Sequence, residues 1–399
     1  SGRVELDFFT PDQAEEQVYT ATLSETPFHI PPQAIDPADV QLPGSPVTAR
    51  ASSLYESSGF TRFMFGEGYR KEWYEELGVP VLDIGTEKGG LEILKRGGGN
   101  QTKSLRLEAS DGKQYVLRLL EKDASKLIPK EFQSSFVKQV VQEGIAGSHP
   151  YASLVVPELA DATGVYHANP KIVYVPDDPR LGIYQGDFGD QLGLFEERAS
   201  GDQRDAPYFG SPKSIVNTPK LLKNLYKDND NRVDQESVLR ARLLDMWLGD
   251  WDRHDDQWRW AEQNHKGPGK TYQPIPRDRD QVFYISEGVI PGILGSSWAV
   301  PAMQGFNPEI KNVQGLWSFA AKYFDRSFMN ELEREEWLSI ATQQQSSLTD
   351  GVIESALSNW PEAIYNQHGA SIKQKLQQRR NDYVKYAMEY YDILAKEVE

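Results

Sequence analysis

The run Gly249-Asp250-Trp251-Asp252-Arg253-His254-Asp255-Asp256-Gln257 constrains this chain more than any other stretch. It places four carboxylates, a histidine and an amide within nine residues. Trp247, Trp251, Trp258 and Trp260 stand among the charges, so the run is expected beside a core rather than on a solvated loop. Carboxylates brought that close to a core are costly unless they meet cations or do chemistry. A second acidic segment, Asp278-Arg279-Asp280, follows the apolar stretch Pro274-Ile275-Pro276.

The flanking text predicts the scaffold. Residues 91–96, 104–108 and 114–120 read as three sequential antiparallel strands. The first turn is Gly97-Gly98-Gly99-Asn100-Gln101-Thr102 and the second Ser110-Asp111-Gly112-Lys113. A helix fits 130–146, with Pro129 at its start. Residues 172–175 and 181–184 read as a further strand pair, and 198–233 as a polar surface insertion. Asp234 is placed to cap a helix running to Leu248. Residues 271–284 look like a hairpin around Asp278-Arg279-Asp280. Beyond 312 the text is helical, over 317–323, 326–344, 349–358 and from 370 to the end. Upstream, Pro27, Pro31, Pro32, Pro37, Pro43 and Pro46 predict an extended arm. Aromatics in 65–73 would dock it. The expected fold class is therefore α+β and bilobed. An arm and docking segment (1–80) precede a β-rich lobe with one helix (81–197) and a helical lobe (198–399), with the site between the lobes.

Composition removes several options. A net charge of −16 leaves no basic stripe for nucleic acid. The absence of cysteine excludes disulfides, thiolate metal sites and a thiol nucleophile. No apolar run approaches the ~18 residues of a membrane span. The start at Ser1-Gly2 lacks a methionine and reads as that of a processed or excised chain, which leaves room for a targeting segment or neighbouring domains outside it.

Phosphoryl transfer from a nucleotide needs a cover for the phosphates, a cation on them, a metal ion and a group that positions the acceptor. Asp252 is placed to orient or deprotonate a hydroxyl. Gln257, five residues on, is an amide at the spacing of a kinase metal ligand. Asp278 offers the hard oxygen that Mg²⁺ or Mn²⁺ prefers. His254 reads as a brace of the loop. Asp250, Asp255 and Asp280 are spare carboxylates, for a second metal or for Arg253, Arg277 or Arg279.

Asp252-Arg253-His254-Asp255-Asp256-Gln257 resembles the Asp-Arg-His-x-x-Asn loop of atypical kinases of the HipA and phosphoinositide-kinase type. Asp278-Arg279-Asp280-Gln281-Val282-Phe283 resembles the Asp-x-Asp-x-x-Phe segment of CotH-type kinases. The resemblance implies a protein-kinase-like fold, ATP or another nucleotide as donor, Mg²⁺ or Mn²⁺, and a protein hydroxyl as acceptor. It implies that Gly97, Gly98, Gly99, Asn100 and Gln101 cover the phosphates. Arg118 would stand where kinases carry lysine, paired with Glu143, and 183–197 would be the hinge that holds adenine. Asp278, Gln257 and Asp280 would hold metal. The stretch 249–254 also resembles kinase-like modules of large Bacteroidetes-type envelope proteins, between a metallophosphoesterase domain and an outer-membrane barrel. That context implies the periplasm or cell surface, with the cytoplasm left open, and attached domains as partners. Glutamine for asparagine and arginine for lysine keep a second reading open, a nucleotide-binding pseudokinase that regulates attached domains. A metal-dependent hydrolase is the third.

Overall fold

A computed structural model describes residues 2–7, 18–23, 40–56, 58–97, 102–122, 142–265, 267–290, 301 and 304–396. Strands β1 (Gly2–Asp7) and β2 (Val18–Leu23) form an antiparallel pair. β3 (Val47–Ala49) pairs with β4 (Leu77–Val79), enclosing helices α1 (Gly59–Phe65) and α2 (Arg70–Tyr74). Tyr55, Tyr69 and Trp73 are fully buried in the main core. The expected docking segment is thus a wall of the fold, because each such aromatic removes a large apolar area from water.

The next five strands form one antiparallel sheet in the order β5-β6-β7-β9-β8. They are β5 (Leu91–Gly97), β6 (Thr102–Ala109), β7 (Gln114–Lys122), β8 (Lys171–Val175) and β9 (Gln191–Glu197). Alternation along the strands divides its faces. Leu105, Leu107, Leu117, Leu119 and Phe195 pack with Leu82, Ile84 and Phe188 into a core of their own. The opposite face presents Arg106, Val116, Arg118, Leu194 and Glu196 toward the rest of the molecule. Sequence placed the partner of β8 at 181–184, but β8 pairs with β9, Val173 opposite Gly193. Residues Pro179–Tyr184 instead form a tight helical turn, opened by Asp178 accepting from the Arg180 N–H and broken by Gly182 at φ 58°. Of the helix expected over 130–146, only the end from 142 lies within the described residues.

The larger core is helical. It gathers α3 (Val156–Thr163), α4 (Thr218–Lys227), α5 (Gln235–Leu248), α6 (Val313–Phe328), α7 (Arg334–Ser347), α8 (Asp350–Leu357), α9 (Ala370–Asn381) and α10 (Tyr383–Ala395). The helix expected over 326–344 is two helices. α6 ends at Phe328, and α7 starts afresh from a reciprocal cap between Glu333 and Glu336. A four-stranded sheet, β10 (Ser214–Asn217), β12 (Trp258–Gln263), β13 (Thr271–Pro276) and β11 (Arg232–Val233) in spatial order, leans on this core. Ala199, Ala206 and Phe209 pack with Ala261 and Ile275, so 198–233 is built into the fold and is no insertion. Among the described residues no helix is long and apolar enough to cross a membrane.

Candidate active site

The acidic loop grows out of α5. The Asp234 side chain accepts from the Ser237 N–H at 3.1 Å and opens the helix. Gly249, at φ 72°, closes it by donating to the carbonyls of Asp245 and Met246. The turn leaves Asp245 and Asp250 buried over a group of arginines. Arg242 bridges Asp245 (2.8 Å) and Asp325 (2.7 Å). Arg253 lies 3.3 Å from Asp245 and 3.5 Å from Asp250. Arg279 pairs with Asp245 and lies 3.0 Å from Asp250. Three carboxylates thus meet three guanidinium groups. Burial works against the charge on Asp245, but Arg279, Arg253 and Arg242 together hold its carboxyl below the ordinary range. Burial pushes Asp250 up to about 7, against Arg253 and Arg279, and its Oδ1 has no partner. The two differ because Asp245 is met by three guanidinium groups, while Asp250 shares two and sits beside the charge of Asp245.

Asp252, one residue past Trp251, leaves this network and is half-buried. Burial raises its carboxyl, and Asp280 and then Asp278 add to the rise, against His254 and Arg253. The segment carrying Asp278 is fastened on three sides. Phe283 N–H donates to the Leu248 carbonyl (3.1 Å), Ile285 N–H to Gly147 O (2.8 Å), and Tyr69 Oη to Phe283 O (2.7 Å). A Cβ on Gly147 would lie 2.3 Å from Ile285 O, so this approach requires glycine. Asp278 sits at φ 58°, a conformation Asp tolerates better than most residues.

From the sheet, two cations reach this segment. Arg118 Nη1 lies 2.8 Å from Asp278 Oδ2, and Lys122 Nζ lies 2.6 Å from Asp280 Oδ2. Burial opposes the charge on Asp278, but Arg118, Lys122 and Arg277 hold its carboxyl below the ordinary range. Glu196 is raised by burial, with Arg118 and Arg277 pulling the other way. These groups line a cleft of about 800 Å³, counting its open mouth. Leu120, Leu194, Val156, Pro157 and Pro170 supply its apolar wall.

Of the site residues expected from sequence, Arg118, Asp278 and Asp280 line this cleft, and Asp252 lies close enough to feel the charges of Asp278 and Asp280. His254, Asp255 and Asp256 are exposed. Three expectations need correction. Asp278-Arg279-Asp280 is not a hairpin tip. The hairpin is β12 with β13, Trp258 opposite Pro276, and Asp278 follows its second strand. Gly267 and Gly269, both at positive φ, allow the chain to turn earlier. Glu143 pairs with Arg70, not Arg118, since Arg70 is buried and needs a carboxylate beside the Gly66 and Tyr55 carbonyls it also reaches. Gln257 is buried, and its Oε1 accepts from Arg253 at 2.6 Å, so its oxygen is engaged by the loop itself. Segment 183–197 ends in β9, which puts Glu196 in the cleft. Gly97 ends β5, whereas Gly98, Gly99, Asn100 and Gln101 lie outside the described residues. Sequence reasoning missed Lys122 and Glu196. Strand alternation was the available signal for Lys122, which falls in phase with Arg118.

Asp278 and Asp280 offer hard oxygen donors, and Asp252 feels both charges. Among the described residues no three histidine or carboxylate side chains converge tightly enough to enclose an ion. Mg²⁺ is commonly held by one or two carboxylates with substrate phosphates and water, so the donor set fits an ion shared with a phosphate. Gln257, occupied by Arg253, does not fit that set as arranged.

No protein-family model matches this chain. No curated protein matches it in sequence. Among solved structures, a proinflammatory kinase of Helicobacter pylori, CtkA, aligns over 79% of this chain and 100% of its own, with a TM-score of 0.34 and 11% identity. A likeness that slight is no argument for a shared activity.

Proposed function

We propose that the cleft binds a nucleotide, ATP in the first instance, with a divalent cation, and passes its terminal phosphoryl group to a protein hydroxyl. The observation that carries this reading is the meeting of Arg118 and Lys122, from the sheet, with Asp278 and Asp280, beside Asp252. Two cations and three carboxylates at the junction of two cores are the parts phosphoryl transfer uses. Bound Mg²⁺ or Mn²⁺ supplies charge neutralisation on the phosphates. Arg118 and Lys122, given up by their carboxylates, turn to the phosphate oxygens. Asp252 accepts the hydrogen bond of the acceptor hydroxyl, and its raised carboxyl suits a group that takes a proton. The buried arginines hold the loop. The acceptor is a protein, or a domain attached to the same polypeptide in the periplasm or at the cell surface.

The test is transfer of a labelled γ-phosphate to protein in the presence of Mg²⁺ or Mn²⁺. Wild type labels, and Asp252→Ala does not. One observation favours a second reading, nucleotide binding without transfer. Gln257 is held by Arg253 rather than turned to the cleft. If wild type binds nucleotide and never labels, that reading replaces the first.

A further inference from the structure

Arg106, Arg198, Arg259 and Arg277 gather on the cleft side of the sheet and of the β12–β13 hairpin. Arg106 stands opposite Val116, which in turn stands opposite Glu196, so Arg106 and Glu196 share a row and a face. Arg198 follows β9 and continues the ladder, its N–H donating to Gln114 O at 2.8 Å. From the hairpin, Arg259 and Arg277 each donate to one carbonyl, that of Asp256, both at 3.2 Å. Two guanidinium groups on one neutral acceptor must lie side by side.

Their other partners are also neutral. Arg198 Nη1 donates to Gln114 Oε1 at 2.6 Å, and Arg259 Nη1 to Trp258 O at 2.6 Å. Arg277 keeps a buried Nε with no partner. Among the described residues none of the four makes an ion pair. Asp278, Glu196 and Asp256 are the carboxylates that act on this group, through space and without an ion pair. Burial, Arg106 and Arg277 depress Arg198 to about 10, and burial, Arg277 and Arg198 do the same to Arg259. Arg198 and Arg259 are thus each disfavoured by the charges of their neighbours.

The chain carries 59 acidic side chains against 43 basic ones, so carboxylates were plentiful for neutralising this cluster. Beneath the loop, by contrast, Arg242, Arg253 and Arg279 each stand beside carboxylates. A cluster left unmatched in an acidic protein is arranged for an anion from outside. Planar guanidinium forks suit the oxygens of a phosphate. The location adds a further constraint. Arg277 directly precedes Asp278 and lines the cleft, so the cluster adjoins the Arg118–Asp278 pair.

We infer that Arg106, Arg198, Arg259 and Arg277 form a phosphate-binding site at the mouth of the cleft, separate from the phosphate contacts assigned to Arg118 and Lys122. The ligand is a phosphorylated small molecule. An unsubstituted adenine ring would not neutralise this end of the cleft.

The test is calorimetric titration of the full chain with inorganic pyrophosphate, with chelator present and no metal. Wild type binds. Arg106→Gln and Arg259→Gln weaken binding tenfold or more. Arg204→Gln, an equal charge change at an exposed arginine already paired with Asp202, stays within twofold. Folding is followed by melting without ligand. Losing one of four mutually repelling charges leaves the melting temperature of Arg106→Gln unchanged or higher. ATP with Mg²⁺ displaces pyrophosphate if the phosphate belongs to the nucleotide, and leaves it bound if it belongs to a second ligand. Either outcome supports the site. No binding to wild type, binding by both variants as tight as that of wild type, or a large fall in melting temperature for Arg106→Gln overturns it. Neither Asp252 nor Asp278 enters this measurement, so its failure is distinct from a failure of phosphoryl transfer.

Discussion

Two sets of charges share the acidic loop. Beneath it, Asp245, Asp250 and Asp325 interlock with Arg242, Arg253 and Arg279, nearly all of them sealed from solvent. In the cleft, Arg118–Asp278 and Lys122–Asp280 stand partly open, with side chains 19% and 23% exposed in the first pair and 7% and 27% in the second. The buried set is balanced and multiply bonded, so opening it strands charge in a low-dielectric core. The cleft set is bonded once per pair and faces a space a ligand can enter. The same residue types thus hold the loop on one side and remain exchangeable on the other.

Removal of one partner on each side breaks or sharpens that contrast. Asp252→Asn should cost the most in activity, about 10²–10⁴-fold in labelled phosphate transfer, with nucleotide affinity retained. Loss of affinity instead would move Asp252 from acceptor to nucleotide. Arg242→Ala should cost about 3–5 kcal/mol in denaturant unfolding, since Asp245 and Asp325 are left buried together. Arg118→Ala should cost only about 1 kcal/mol in the same experiment. Equal costs would erase the distinction between the two sets. Gly147→Ala should cost about 1–3 kcal/mol, because its Cβ meets the Ile285 carbonyl on the strap behind Asp278.

The smallest expected effect is one of pH. The Asp252 carboxyl is raised on folding. Its contribution to stability is therefore present below the ordinary aspartate range and lost as pH rises through the raised value. Asp252→Asn should melt about 2 °C higher than wild type at pH 8 and no higher near pH 4. Activity has the matching sign. It should fall with acid at a higher pH than an ordinary aspartate gives, and Asp280→Asn should move that limb down.

The features legible in sequence were those set by local chemistry. Asp234 and Gly249 bound α5 as helix-capping rules require, and alternation with the Asp111-Gly112 turn marked β6 and β7. What stayed hidden was decided by distant partners. Glu143 is claimed by Arg70 from a segment read as a docking arm, and Gln257 by Arg253 within its own loop. Neither pairing has a sequence period. The partner of β8 was misplaced because 181–184 is as β-prone as 191–197, and only Asp178 and Gly182 mark it as a turn. Lys122 could have been found, since the alternation that turned Arg118 to the cleft also turns Lys122 there.

The central claim is that the cleft charges of Asp278 and Arg118 exist to be exchanged for a metal-bound nucleotide. Equilibrium titration of ATP with Mg²⁺ into wild type and Asp278→Asn tests it most directly, with unfolding followed in parallel. The prediction is binding to wild type that weakens at least a hundredfold in Asp278→Asn, while stability changes by no more than about 1–2 kcal/mol. Equal affinity in the two proteins, or no binding to wild type, would contradict it.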